Sequence, residues 1–128
     1  MAGDEANVRD RLEEILGDRS PREVALVAGM VSGFEAKAAG LLQRALAAVA
    51  PPDSPDPPDP AAAVLQVHSL RGSALNLGSV RLAALCEDLE EQVAAGRVEQ
   101  LIAGRQQLDD ELSAFVRVLG AVRLSLEI

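Results

Sequence analysis

Apolar residues recur at intervals of three and four along most of this chain, and prolines and glycines interrupt those runs. Val8, Leu12, Ile15 and Leu16 share one side of a short segment, which predicts a helix from about Gly3 to Gly17. Ser20-Pro21-Arg22-Glu23 reads as a capping box with proline at the first helical position. From there Val24, Val27, Val31, Phe34, Ala38, Leu41, Ala45 and Ala48 alternate without a break, the seam of a bundle helix that runs to about Ala50. Pro51 to Pro60 (PPDSPDPPDP) admits neither helix nor central strand, because proline lacks an N–H and restricts the residue before it. It predicts an extended, acidic connection. Asp59 as N-cap and Pro60 in the first turn open a third helix with an inward stripe of Ala63, Val67, Leu70, Ala74 and Leu77. Gly78 stops it, and Ser79 caps a fourth helix to about Ala95 along Leu82, Leu85, Cys86, Leu89 and Val93, with Gly96 as its break. A last helix is predicted from about Val98 to Leu126, its seam being Leu101, Leu108, Leu112, Phe115, Leu119, Val122 and Leu126.

Four long amphipathic segments and a short leading one predict an all-α fold, an antiparallel four-helix bundle with an additional short N-terminal helix. Neither side of the proline-rich stretch holds enough helices to bury its own seam, so residues 1–128 read as one domain with 51–60 as a connection inside it. Composition agrees. Hydrophobic residues make up 48% of the chain but aromatics only 2%, and a mix rich in Ala, Leu and Val favours helix over strand.

Charge and cysteine content then narrow the function. A net charge of -8 argues against nucleic acid and against an anionic membrane surface as partners. Cys86 alone excludes an internal disulfide and suits a reducing compartment. No apolar run approaches the roughly 20 residues that span a bilayer, and Met1 to Asp10 is too polar for a signal peptide. A soluble, cytoplasmic chain is expected, and a monomer, since one chain supplies four helices to bury the seams. A single histidine and a single cysteine leave no zinc set, and neither a Gly-rich phosphate loop nor a Ser-His-Asp set is present. Lys37, the one lysine among twelve basic residues, carries no functional reading at this level.

The chemistry concentrates at the only histidine, in His68-Ser69-Leu70-Arg71-Gly72-Ser73-Ala74-Leu75-Asn76-Leu77-Gly78. His68 lies about 100° round the helix from Val67, so it flanks the core without entering it. Val64, Leu65, Gly72 and Leu75 share its face, and apolar residues around a polar nucleophile suggest a docking patch. If the turn falls at Gly78-Ser79, His68 is ten residues before Gly78 and Glu90 twelve after it, nearly level on neighbouring helices. A carboxylate there accepts a hydrogen bond from imidazole Nδ1–H, which fixes the tautomer and leaves Nε2 with a free lone pair for attack on phosphorus. Arg71, one turn on, brings a guanidinium for incoming phosphoryl oxygens. Gly72 costs roughly 1 kcal/mol relative to alanine in a helix interior, which makes sense if a partner's active site needs the space.

These residues resemble the motif of histidine-containing phosphotransfer (HPt) domains, commonly His-x-Leu-Lys-Gly-Ser-x-x-x-Leu-Gly. The likeness covers the bundle loosely and His68 to about Glu90 closely. It implies that His68 accepts and donates a phosphoryl group exchanged with a response-regulator aspartate, and that Arg71 and Gly72 match the family's lysine and glycine. Glu90 matches a glutamate that binds the imidazole in the related domain of chemotaxis kinases. The resemblance further implies a receiver domain or sensor histidine kinase as partner, Mg²⁺ supplied by the partner receiver, no cofactor of the chain's own, and a carrier with no ATP-binding segment. Arginine in place of lysine keeps the charge but changes its shape and reach. The proline-rich connection is also unusually long.

Plainer readings stand beside these. His68 and Glu90 are ordinary surface residues, Arg71 pairs with Glu87 across the hairpin, or Gly72 serves close helix packing. Cys86 reads as a small core residue, and Ser73 has no base beside it to make it a nucleophile. At the level of the whole chain the alternatives are a degenerate HPt-like module that binds a receiver or kinase without transfer, and a structural homodimer.

Overall fold

The computed structural model describes residues 4–49 and 57–128. Among these there are six helices and no strand: α1 (Glu5–Leu16), α2 (Pro21–Val49), α3 (Pro60–Asn76), α4 (Val80–Ala94), α5 (Glu99–Ala103) and α6 (Arg105–Leu126). The four long helices, α2, α3, α4 and α6, form the antiparallel bundle, and α3 makes its most extensive contacts with α4 on one side and α2 on the other. One continuous cluster of buried side chains draws on all six helices, from Val8 and Leu12 in α1 through Phe34, Leu70, Leu82 and Leu101 to Phe115 and Leu126. The rings of Phe34 and Phe115, the chain's two phenylalanines, meet edge to face at 5.1 Å between centroids and tie α2 to α6.

The helix boundaries follow local chemistry. Asp59 caps α3 by accepting from the Ala62 N–H, and Ser79 Oγ caps α4 by accepting from Leu82 N–H. At the α3–α4 turn Gly78 takes φ +91°, its N–H reaches the Leu75 carbonyl and the Ser79 N–H reaches that of Ala74, a Schellman close. Gly96 ends α4 in the same way, with its own N–H on Val93 and that of Arg97 on Gln92. The box at α2 is only half made. Ser20 Oγ accepts from Glu23 N–H at 3.2 Å, but the Ser20 N–H goes to Asp18 Oδ1 instead of to the Glu23 carboxylate.

Two expectations need correction. The predicted last helix is two, because the chain turns at Gly104, where φ is -86° and ψ is 0°. The Leu89 side chain packs into the space a side chain at Gly104 would fill, with Cδ2 3.2 Å from a Cβ placed there. Second, α2 is long and apolar enough by length and composition to cross a membrane, although no such run was expected. Its seam residues Val27, Phe34, Ala38 and Ala45 lie in the bundle core, and Glu35 and Lys37 interrupt its apolar stretch. α2 is described to Val49, in keeping with the expected end near Ala50. Most of the proline-rich connection, residues 51–56, lies outside the described residues; beyond it Asp59 N–H bonds the Ala48 carbonyl at 2.8 Å and sets the start of α3 beside the end of α2.

α1 was predicted only as a short leading helix, yet it braces the turn that carries the site. The buried Asp4 carboxylate accepts from Ser79 Oγ at 2.8 Å, and Arg11 Nε donates to the Asn76 carbonyl at 2.9 Å. The backbone of α1 approaches Gly78 so closely that a Cβ there would lie 2.8 Å from Asn7 O and from Val8 Cα.

Candidate functional site

The α3–α4 hairpin sets His68 and Glu90 at one height, as the spacing from Gly78 requires, and His68 Nδ1 lies 2.9 Å from Glu90 Oε1. The imidazole is 59% exposed while the glutamate side chain retains only 13% exposure. The ring is therefore open to solvent and the carboxylate beneath it is sheltered, so their bond operates in a medium less polar than water.

Arg71 does not pair with Glu87. Its Nε lies 3.2 Å from Glu90 Oε2 and its Nη2 lies 3.0 Å from His68 Nδ1. The cause is the lean of helical side chains towards the N-terminus, which carries the guanidinium back along α3 to the level of His68 and Glu90. Three charged or chargeable groups thus close a triangle. The Nε–Oε2 approach is an ion-pair distance without an aligned N–H, so Glu90 Oε2 is buried with no hydrogen-bond donor of its own.

Nδ1 has one site to offer and two neighbours. A carboxylate accepts only, and a guanidinium donates only. With hydrogen on Nδ1, the ring donates to Glu90 Oε1 in a charge-assisted bond; with Nδ1 bare, Oε1 would face a lone pair across 2.9 Å. With Nδ1 bare the ring instead accepts from Arg71 Nη2, so the two neighbours call for opposite tautomers, and Arg71 is an ion-pair partner of Glu90 in either. In the first state Nε2 carries the free lone pair of the exposed ring.

The remaining residues sort clearly. A Cβ on Gly72 would meet nothing within 4 Å, so close helix packing does not explain this glycine. Leu65 and Leu75 are exposed at 65% and 51%, whereas Val64 is half-buried against the core and presents only part of its surface. Ser73 is half-buried at the groove between α2 and α3. Cys86 is fully buried one turn before Glu90, and its thiol is pushed up from 9.0 to about 12, first by burial and then by the Glu90 charge, with Arg71 opposing. It stays a protonated core residue.

A family model of the Hpt domain matches residues 29–118. The chain belongs to the Hpt family. Comparison with curated proteins and with solved structures gave no match. The Hpt match contains His68, Arg71, Gly72 and Glu90 and begins within α2, so α1 and its brace on the hairpin lie outside it. Hpt domains are carriers in histidine phosphotransfer, meeting receiver domains and kinases of two-component systems, and the helical bundle is the fold this family uses.

Of the plainer readings, the pairing of Arg71 with Glu87 is the one the structure replaces. Spacing alone puts Glu87 at the level of the Arg71 backbone, and only the direction of the side chain decides for Glu90. The part of Asp4 had no sequence signal, since nothing local links it to Ser79, 75 residues away.

Proposed function

We propose that the chain is an active phosphoryl carrier that takes the group on His68 Nε2 from a receiver-domain phosphoaspartate or a sensor kinase and passes it to a receiver aspartate. The observation that carries this reading is the 2.9 Å pairing of His68 Nδ1 with Glu90 beneath an imidazole that is 59% exposed. A histidine oriented by a sheltered carboxylate yet open on its far nitrogen is arranged for attack on an external phosphorus.

In the forward step the Nε2 lone pair attacks phosphorus, the N–P bond forms, and the P–O bond to the aspartyl carboxylate breaks with that carboxylate leaving. Positive charge grows on the imidazole as the bond forms. Glu90, hydrogen-bonded through Nδ1–H, stabilises it without taking the proton. Arg71 is one turn from His68 and offers positive charge to phosphoryl oxygens, while Gly72 leaves room for the partner's site to reach the ring. The reverse step returns the group to another aspartate with the same atoms. Mg²⁺ would be held by the receiver, where it offsets phosphoryl charge. We further propose that residues 1–128 act as one domain, as a monomer in the cytoplasm, and that Leu65, Leu75 and the exposed part of Val64 meet the receiver.

The test is transfer of radiolabelled phosphate from a panel of phosphorylated receiver domains to wild type and to His68→Gln. Acid-labile, base-stable label on wild type alone is expected. Label that persists on the variant would remove His68 as the acceptor, and receivers that bind without labelling wild type would identify a docking module.

A further inference from the structure

The triangle at His68 contains a conflict. Nδ1 lies 2.9 Å from Glu90 Oε1 and 3.0 Å from Arg71 Nη2, and one ring nitrogen cannot make both hydrogen bonds. A bond to the carboxylate needs hydrogen on Nδ1 and leaves the Nε2 lone pair free. A bond from the guanidinium needs a bare Nδ1, which puts the hydrogen of the neutral ring on Nε2 and takes that lone pair out of use. Glu90 therefore favours the nucleophile that attack requires, and Arg71 opposes it.

Arginine suits this opposition. Its planar fork meets the ring through Nη2 while Nε stands 3.2 Å from Glu90 Oε2, so one side chain touches both members of the pair. The hold is loose. Nε is not aligned on Oε2, which is buried with no hydrogen-bond donor, and the Arg71 side chain keeps 27% exposure. Beside it Gly72 leaves open space on the face it shares with His68. A phosphoryl group arriving at the exposed ring thus finds the guanidinium within reach. Its oxygens offer charge-assisted, two-point bonds that the lone pair of a neutral imidazole cannot match.

We infer that Arg71 is a tautomer brake on His68, holding a share of the free chain's imidazole in the Nε2–H form until an incoming phosphoryl group draws the guanidinium off and switches the nucleophile on. The inference deepens the phosphotransfer reading above and rests on it. The switch relocates a proton with no net gain or loss. Nε2 gives its proton to water, and Nδ1, vacated by Arg71, takes one from water and donates it to Glu90 Oε1 in a hydrogen bond. The ring is 59% exposed and so meets the water this requires. Departure of Arg71 also leaves the Glu90 charge un-neutralised as the imidazolium grows with the N–P bond. Arg71 is thus a positioning residue, acting through Nδ1 before it meets the phosphoryl oxygens.

His68 is the only histidine, so the ring ¹⁵N chemical shifts of histidine-labelled chain report its tautomer directly. They are read above the ring's own titration, where the imidazole is neutral, for wild type, Arg71→Ala and Glu90→Gln. Arg71→Ala should move the ratio towards Nδ1–H by on the order of fivefold, the contribution of one hydrogen bond. Glu90→Gln should move it towards Nε2–H. A receiver that exchanges phosphate with wild type is then docked, its aspartate carrying beryllofluoride in place of a phosphoryl group. Docking should move the wild-type ring towards Nδ1–H and leave that of Arg71→Ala where it was. Were Arg71 merely an anchor for Glu90, its loss would weaken the Glu90 bond and shift the ring towards Nε2–H. That direction, no shift at all, or a wild-type ring unmoved by docking would overturn the inference. Wild type is also offered phosphoramidate, a small donor that needs no docking; failure to form phosphohistidine would instead refute the phosphotransfer reading.

Discussion

Glu90 divides its two oxygens between His68 and Arg71, and that division governs what the imidazole can do. Oε1 lies 2.9 Å from Nδ1, while Oε2 has only the unaligned Arg71 Nε for company. Replacing Glu90 with Gln keeps the shape but removes the charge that favours a growing imidazolium, and it frees Arg71. Transfer to a receiver is expected to slow on the order of tenfold, with docking unchanged. Rapid-quench transfer rates set beside a binding isotherm check this, and an unchanged rate would dismiss the orienting role. The pairing of His68 with Glu90 was legible in sequence because a hairpin with a known turn converts residue counts into heights. The partner of Arg71 was not, because a long side chain reaches a level set by its lean and not by its Cα.

Under the phosphotransfer function proposed above, helix α3 trades stability for access. Gly72 sits in its interior, costs helix propensity, and has no neighbour within 4 Å to justify it by packing. Gly72→Ala is therefore expected to stabilise the chain by up to about 1 kcal/mol in thermal or urea melts. It should load from phosphoramidate normally yet transfer more slowly to a receiver, since the added methyl stands on the open face beside His68. A variant that is no more stable, or that transfers at full rate, would return Gly72 to an incidental role. At the same scale α1 acts as a brace. Asp4 caps the cap residue of α4, and the approach of Asn7 and Val8 to Gly78 explains why that turn needs a glycine for space as well as for its positive φ. The main helices, the N-caps of α3 and α4 and the glycine stops at Gly78 and Gly96 were readable from spacing and residue type. The break at Gly104 was not, because a single glycine inside a periodic apolar run is also compatible with a continuous helix.

Stability as a function of pH belongs to the molecule as a whole, and the buried Cys86 contributes one predictable piece of it. Its thiol is raised from 9.0 to about 12 by burial first and by Glu90 second. Below pH 9.0 the thiol is protonated in both folded and unfolded chains, so its contribution is fully present; above that the unfolded chain alone ionises, and stability falls until pH passes about 12. The loss reaches on the order of 4 kcal/mol at the upper end. Cys86→Ala should be less stable at neutral pH because a buried group is removed, but its alkaline slope in denaturant melts should be shallower. Identical slopes would mean the thiol is not the titrating group. The sequence by itself determined the all-α class, the order and caps of the main helices, and the level at which Glu90 meets His68, because 3.6-residue periodicity and turn chemistry act locally. The tertiary structure alone decided that Arg71 joins Glu90, that α1 braces the hairpin and that α5 separates from α6. Each of these depends on side chains from segments far apart in the chain meeting at distances that no local pattern encodes.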